Sequence, residues 1–412
     1  MTELTSNPTR KLGQLALIKF MKKSILLSAI FLSAVTAYSQ GPDFVSVKTY
    51  GAKGDGTSED TNAIQAAISS GNSVYFPAGV YKVSGTLTLS SNHMYVGASR
   101  GSSIIKFTSQ DQTIIEGGNS SNVAIKSLSI LGNAQTPTSN LGIHFGSGST
   151  RNVIDDVEVE YMFNIGIQVA GTQNTISNSF VENCRYGISI GGDQHTIKNN
   201  YVSNHYSTVG TGAGSLYWDG IVSEGLTNSL IEGNTAEDNG QSGIYTGGNG
   251  SVSYNNRIVN NYVAHNFNRG IDQGVSGDVT ASNSLGKLTI VGNTAIDNKE
   301  ANIWLNQVSG ASVSGNYVEY TSAYPTFFGQ NANPNRVGVA LAEIGGSGST
   351  LDATSNVTLV GNTVIDYAGA SKICISFAVL NGKNNTVAAN SANCAIYTPA
   401  GLNAQNNNNR SY

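Results

Sequence analysis

From residue 141 onward, apolar and polar positions recur in two short alternating patterns. The first is a strand of the form x-Gly-Ile-x: "LGIHFG" (Leu141), "IGIQVA" (Ile165), "YGISIG" (Tyr186), "DGIVSE" (Asp219), "SGIYTG" (Ser242) and "RGIDQG" (Arg269). It loosens to "ANIWLN" (Ala301), "VGVALA" (Val337) and "KICISF" (Lys372). Between these strands sits a second motif, "IKNNYV", "IEGNTA", "IVNNYV", "IVGNTA", "VSGNYV", "LVGNTV" and "VAANSA", with Asn at its fourth place. Those residues are Asn200, Asn234, Asn261, Asn293, Asn316, Asn362 and Asn390, at spacings of 34, 27, 32, 23, 46 and 28. A constant motif at uneven spacing predicts coils of one cross-section joined by loops of variable length. A helical-hairpin repeat would keep stricter time and show a 3.6-residue period, which is absent. The pattern predicts a solenoid of parallel strands, with aliphatic columns pointing inward and the Asn column stacked as a structural ladder.

One segment reads as a helix. "EDTNAIQAAI" places a capping residue at Asp60 and apolar residues at Ala63, Ile64, Ala67 and Ile68. This predicts a short helix near residues 60–70, its oily face closing the amino-terminal end of the solenoid. "SVYFPAGVYKV" (residues 73–83) then supplies two strands around a turn at 77–79.

Composition agrees with many short strands and polar turns. The 412 residues include 48 Gly and 7 Pro, and 12% are charged, about half the usual share. "MKKSILLSAIFLSAVTAYSQ" (residues 21–40) has two lysines, an apolar run and then small residues, the layout of a secretory signal peptide too short for a membrane span. The expected division is an upstream extension over 1–20 and a signal over 21–39, so the protein is expected to be secreted or periplasmic. Losing residues 1–39 removes five basic residues and Glu3, moving the net charge from −4 to −8. That acidity argues against a nucleic-acid partner. Of the three cysteines, Cys374 and Cys394 are able to bridge if adjacent, with buried free thiols the favoured expectation.

"YGAKGDGTSEDTNAIQAAI" followed by "VYFPAGVYKV" resembles the start of the pectate-lyase-like right-handed parallel β-helix superfamily. Pectate lyases, alginate lyases, polygalacturonase-type hydrolases, phage tailspikes and mannuronan C5-epimerase modules share this layout. The resemblance implies an all-β, single right-handed parallel β-helix with a short N-terminal capping helix, spanning residues 43–402. A flexible tail is expected over 403–412. Because the same shell carries several chemistries, the reaction has to be read from side chains.

In this superfamily the substrate groove follows an outer face, so outward columns are read together. Strand alternation turns the fourth position of x-Gly-Ile-x outward, giving His144, Gln168, Ser189, Val222, Tyr245, Asp272 and Trp304. Polar and aromatic groups concentrate in the coils from Tyr186 to Ala301. Arg269, Tyr245 and Tyr186 are the candidate catalytic residues; His205, Tyr217, Trp218, Lys299 and Trp304 are candidates for binding sugar. Asp219, Glu224 and Asp272 are hard oxygen donors of the kind that hold Ca²⁺, the only cofactor expected. The expected partner is an anionic polysaccharide, bound by a monomer.

The leading expectation is a polysaccharide lyase on alginate- or pectate-type glycans, removing the C5 proton of a uronate by β-elimination. A hydrolase using two carboxylates and a non-catalytic glycan-binding β-helix are the alternatives. Against the epimerase signature, "YGISIGG" keeps Tyr186 and Gly187 but has Ser189, Ile190, Gly191 and Gly192 in place of Asp-Pro-His-Glu, while "DGIVSE" matches the second signature stretch.

Overall fold

The computed structural model describes residues 43–109, 112–133, 141–205, 218–247, 253–274, 285–321, 337–342, 354–367, 373–378, 384–397, 405–407 and 410–411. The chain divides into two compact units at Phe44/Val45, and the coil belongs to the second. The expected signal segment and upstream extension lie outside the described residues.

The coil is a parallel β-helix of three long sheets. Two sheets have 14 strands each and the third has 15, and the neighbours in each sheet are mostly strands three apart in sequence. Each turn of the chain therefore adds one strand to every sheet in parallel pairing, as in Ile154↔Ile176 and Ile176↔Ile197. The aliphatic residues of each strand point inward in columns: Ile154, Ile176, Ile197, Ile231, Ile258 and Ile290 are at most 1% exposed. Removing such side chains from water contributes roughly 1.5–3 kcal/mol each, and this stack is the core of the protein.

The corners explain the second motif. Its third residue sits in the left-handed region, as at Asn199, Gly233, Asn260, Gly292, Gly315 and Gly361, with φ between 55° and 67°. Asn and Gly tolerate that conformation best. The fourth residue is the predicted ladder. Asn234 Oδ1 accepts the backbone N–H of Asn200 at 3.0 Å and its side-chain amide at 2.9 Å, and Asn261 does the same for Asn234. The ladder continues through Asn293, Asn316 and Asn362 to Asn390.

A second ladder runs along another corner. Asn239 passes to Asn266, Asn266 to Asn298, and Asn298 to Asn302. His205 stands at its head, its backbone N–H donating to Asn239. From Gly187 to Gly270, the Gly of each x-Gly-Ile strand faces this ladder or the His205 at its head. A Cβ on Gly220, Gly243 or Gly270 would lie 2.6–2.7 Å from the amide of Asn239, Asn266 or Asn298, and one on Gly187 would lie 2.6 Å from His205 Nε2. The Gly-Ile repeat is thus the space required by an amide stack in the adjoining corner.

His205 is therefore not a loop residue facing sugar. It is completely buried, with Nδ1 accepting the Cys184 N–H at 3.3 Å and Nε2 donating to Val181 O at 3.0 Å. Burial lowers its pKa to about 4. His195 copies the arrangement in a third corner, accepting the Asn174 N–H and donating to Gly191 O.

The helix, α1 (Thr61–Ile68), buries Ile64, Ala67 and Ile68 as expected. Asp60 precedes it but makes no capping bond. Its carboxylate instead accepts the N–H groups of Lys53 and Gly54, at 2.6 and 3.0 Å, and so holds the Gly-Asp-Gly turn. Two further expectations change. Cys374 and Cys394 form a disulfide, Cα–Cα 5.2 Å, while Cys184 is a buried free thiol. Pairing also continues past residue 402: Gln405–Asn407 joins Thr386–Ala388, and Arg410–Ser411 joins Ser391–Ala392.

Two predictions follow from the corners. Ala389 holds the left-handed position (φ 54°) that Gly fills in the preceding coil, so Ala389→Gly is expected to raise stability by up to about 1 kcal/mol, read from urea unfolding. His205 stays neutral in the fold to about pH 4, whereas in the unfolded chain it takes up a proton below about 6.5. Its contribution is therefore present above that value and is lost as pH falls toward 4. His205→Asn, which supplies the ladder amide without a titrating ring, should compare more favourably with the wild type at pH 5 than at pH 7.5. An unchanged difference between the two pH values would refute this.

Candidate functional site

Five consecutive strands of the 15-stranded sheet carry the candidates: β1 (Tyr186–Asp193), β2 (Ile221–Thr227), β3 (Ile244–Gly247), β4 (Arg269–Gln273) and β5 (Ala301–Asn306). Ile188, Ile221, Ile244, Ile271 and Ile303 stack in register on the inside. The alternation then sets Ser189, Val222, Tyr245, Asp272 and Trp304 in one outward column, one residue per coil at about 4.8 Å.

Arg269 organises the C-terminal part of this column. Its Nη1 donates to Asp272 Oδ2 at 2.8 Å, its Nη2 approaches Glu300 Oε2 at 3.5 Å, and its guanidinium lies 4.3 Å from the centre of the Trp304 ring. Three residues apart on one strand, Arg269 and Asp272 reach each other because the arginine stem spans the intervening pleat. Asp272 points outward yet is only 3% exposed. Burial raises its pKa even with Arg269 against it. Arg269 Nε, Asp272 Oδ1 and Trp304 Nε1 are buried without a hydrogen-bond partner, so this cluster retains two donors and one acceptor. Unpaired buried polar atoms are costly and mark places where a ligand or water completes the bonding.

Asp219 lies one residue before the Gly-Ile step into β2, also buried. Its Oδ1 accepts the Ser242 N–H at 2.9 Å, and Ser242 Oγ reaches Asp272 Oδ2 at 3.4 Å. Ser242 thus joins the two aspartates. Burial, with Asp272 nearby, raises the Asp219 pKa to about 7. Tyr245 stands between Val222 and Asp272, its hydroxyl 3.3 Å from Gly274 O.

The remaining candidates lie apart from this cluster or are engaged. Tyr186 packs its ring edge-on to Trp218 at 4.6 Å, and Arg185 covers the Trp218 ring at 3.7 Å. Trp218 therefore anchors the chain entering β2, with one face taken by a cation. Lys299 places its ammonium 3.7 Å from the centre of the Phe267 ring, and burial lowers its pKa. Tyr217 and the side chain of Glu224 lie outside the described residues. Ser242 and Glu300 were not singled out from sequence. Ser242 is visible there only as the first residue of its x-Gly-Ile strand, and Glu300 immediately precedes β5.

Asp219 and Asp272 are the described members of the expected calcium trio. Asp272 Oδ2 is taken by Arg269 and Ser242, while Asp272 Oδ1 has no hydrogen-bond partner. A hard cation needs ionised, unpaired oxygens. Among the described residues, no group of three or more His, Cys, Asp or Glu is placed to hold a metal. No described helix is long and apolar enough to cross a membrane.

Comparison with known proteins extends the pattern. A family model described as rhamnogalacturonase A/epimerase, pectate lyase-like, matches residues 44–219, and one for the right-handed β-helix region matches residues 141–318. The tail spike protein of Salmonella phage epsilon15 is 34% identical over 304 residues, 67% of this chain and 28% of that protein. Mannuronan C5-epimerase AlgE5 of Azotobacter vinelandii is 37% identical over 147 residues, 29% of this chain and 15% of that protein. The chain thus spans under a third of the length of either relative. Among solved structures, the A-module of the Azotobacter vinelandii epimerase AlgE6 superposes with a TM-score of 0.72 at 21% identity, covering 89% of this chain and 99% of the module. With three parallel sheets wound by one chain, and family models reaching from residue 44 to 318, this protein belongs to the pectate-lyase-like right-handed parallel β-helix superfamily.

Proposed function

We propose that this protein is a secreted or periplasmic polysaccharide lyase acting on uronate-containing glycans of the alginate or pectate type. The observation that carries the reading is the outward column Tyr245–Asp272–Trp304, with Arg269 held across it by two carboxylates. Local similarity to a mannuronan C5-epimerase supports uronate chemistry, since epimerisation and β-elimination both begin by removing the C5 proton. The export-like segment at 21–39 and the Cys374–Cys394 disulfide support an oxidising compartment.

In this reading Tyr245 acts as the phenolate and takes the C5 proton. The C–H electron pair forms the C4–C5 double bond, the C4–O glycosidic bond breaks, and the departing oxygen takes that proton back from the Tyr245 hydroxyl. Arg269 stays cationic between Asp272 and Glu300 and faces the uronate carboxylate, stabilising the charge that develops there. The guanidinium is thus an electrostatic partner and not the base, because an arginine paired to two carboxylates does not give up its proton. Asp219 is a positioning residue. Through Ser242 it sets Asp272, and its ionisation would place a second negative charge beside that group.

A hydrolase is the second reading, favoured by the two aspartates joined through Ser242 with raised pKa values. The deciding assay incubates the protein with alginate, pectate and other uronate glycans, following ultraviolet absorbance and reducing ends together. Rising absorbance is expected, from unsaturated sugar ends. New reducing ends without absorbance would establish the hydrolase, and solvent-proton exchange at C5 without cleavage an epimerase.

Tyr245→Phe should lower the rate by about 10²–10⁴-fold, the range for loss of an acid–base group, with folding unchanged. Because Arg269 and Ser242 hold Asp272 Oδ2, a chelator is expected to leave activity in place. Asp219 is protonated below about pH 7, so the wild-type rate should fall as pH rises through that value. Asp219→Asn, which mimics the neutral acid, should remain active and lose that alkaline limb; an unchanged pH profile would remove Asp219 from the site.

A further inference from the structure

The second 14-stranded sheet presents a different outer face. Its strands Tyr201–Ser203, Thr235–Glu237, Tyr262–Ala264, Thr294–Ile296 and Tyr317–Tyr320 are in direct register, so that Tyr201, Thr235, Tyr262, Thr294, Tyr317 and Thr363 form one column. The residues between them in each strand, Val202, Ala236, Val263, Ala295 and Val318, are fully buried, which fixes the column as outward. Tyrosines therefore recur every second coil, about 9.6 Å apart at a strand spacing of about 4.8 Å, with a short threonine between each pair.

The rings are tethered. Tyr201 donates its hydroxyl to Glu237 Oε1 at 2.8 Å, and Tyr317 donates to Glu319 Oε2 at 2.6 Å. In both cases the carboxylate stands in the parallel outward column, Glu319 on the same strand as Tyr317 and Glu237 on the coil after Tyr201. A tyrosine bonded at its tip to that column leans across the sheet, and Tyr201, Tyr262 and Tyr317 are all partly exposed. Both hydroxyls stay protonated donors, their pKa pushed up to about 12, by burial first for Tyr201 and by the Glu319 hydrogen bond first for Tyr317. Tyr262 lies among the same carboxylates, which with burial raise its pKa.

Carboxylates dominate this face, with one cation at its N-terminal end, where Arg100 lies 3.9 Å over the ring of Phe180, the column neighbour of Tyr201. The second outward column of the face carries Glu160, Glu182, Glu237 and Glu319, and neither column holds a lysine or arginine among the described residues from Ser129 to Thr363. A uronate strand would meet like charge here. A neutral sugar would meet ring faces for its C–H surface and carboxylate oxygens for its hydroxyls. Two coils match two sugar units of an extended chain, so alternate rings of one strand would fall on successive tyrosines.

We propose that this face is a second, non-catalytic binding platform for an uncharged polysaccharide strand lying along the solenoid axis, on Tyr201, Tyr262 and Tyr317. It is separate from the Arg269 cluster, which lies on another sheet, and does not depend on the reaction assigned there.

The test is affinity electrophoresis of the full chain through gels containing hydroxyethyl cellulose, glucomannan, soluble chitosan or alginate, using wild type, Tyr262→Ala, Tyr262→Phe and the triple alanine variant at 201, 262 and 317. Far-ultraviolet circular dichroism and size-exclusion light scattering accompany each protein. Retardation by a neutral glycan is expected, about tenfold weaker in affinity for Tyr262→Ala, a loss of about 1.4 kcal/mol. Tyr262→Phe should keep most of it, and the triple variant should lose it without a change in mass or in activity on uronates. No retardation in either neutral gel would overturn the proposal, as would equal retardation of the folded Tyr262→Ala variant. Retardation by chitosan alone would make the face an electrostatic one, and a change of oligomeric mass on mutation would make it a subunit contact. Either result also overturns it.

Discussion

Every coil of this protein has to turn its backbone out of one sheet and into the next without leaving buried N–H groups unpaired. Stacked side-chain amides meet that requirement. Each ladder Asn accepts the backbone N–H of the previous coil and passes its own amide to the next, as from Asn234 to Asn261 and Asn293. The unit of repetition is then a corner, not a fixed number of residues. Loops of very different length between corners leave the stack in register, which is why spacings from 23 to 46 residues coexist with unbroken ladders.

The same constraint determines residues that seem unrelated to it. A left-handed residue must precede the ladder position, and the strand alongside must be free of Cβ atoms where the second amide stack passes. Hence the Asn or Gly before the first ladder's residues from Asn200 to Asn362, and the Gly of the Gly-Ile pairs at Gly220, Gly243 and Gly270. His195 and His205 enter these stacks because a neutral imidazole offers the same acceptor and donor as an amide. They do so with depressed pKa values, burial being the first cause. Structure here has absorbed two of the five histidines in the chain.

Parallel register also makes function columnar. Residues far apart in sequence, such as Val222, Tyr245, Asp272 and Trp304, become neighbours because each is the fourth of its strand. Two outer faces differ sharply in character as a result. The sheet bearing Arg269 concentrates a buried ion pair and unpaired polar atoms. The sheet bearing Tyr262 presents tethered rings and carboxylates.

The sequence by itself determined the solenoid, its inward columns, the first Asn ladder and α1, because each depends on local periodicity or on residue types required by a backbone angle. It also brought Arg269, Asp272, Asp219, Tyr245 and Trp304 to one sheet through strand alternation. Tertiary structure decided what alternation leaves open. Asp272 is outward by count but buried, since Arg269 and its surroundings cover it. Asp60 binds the turn ahead of it and not the helix behind it. His205 follows a left-handed residue in a corner, which no period in its own segment reveals. Cys374 and Cys394 pair because adjacent coils bring their Cα atoms to 5.2 Å, a distance fixed by coil pitch and not by the 20 residues between them.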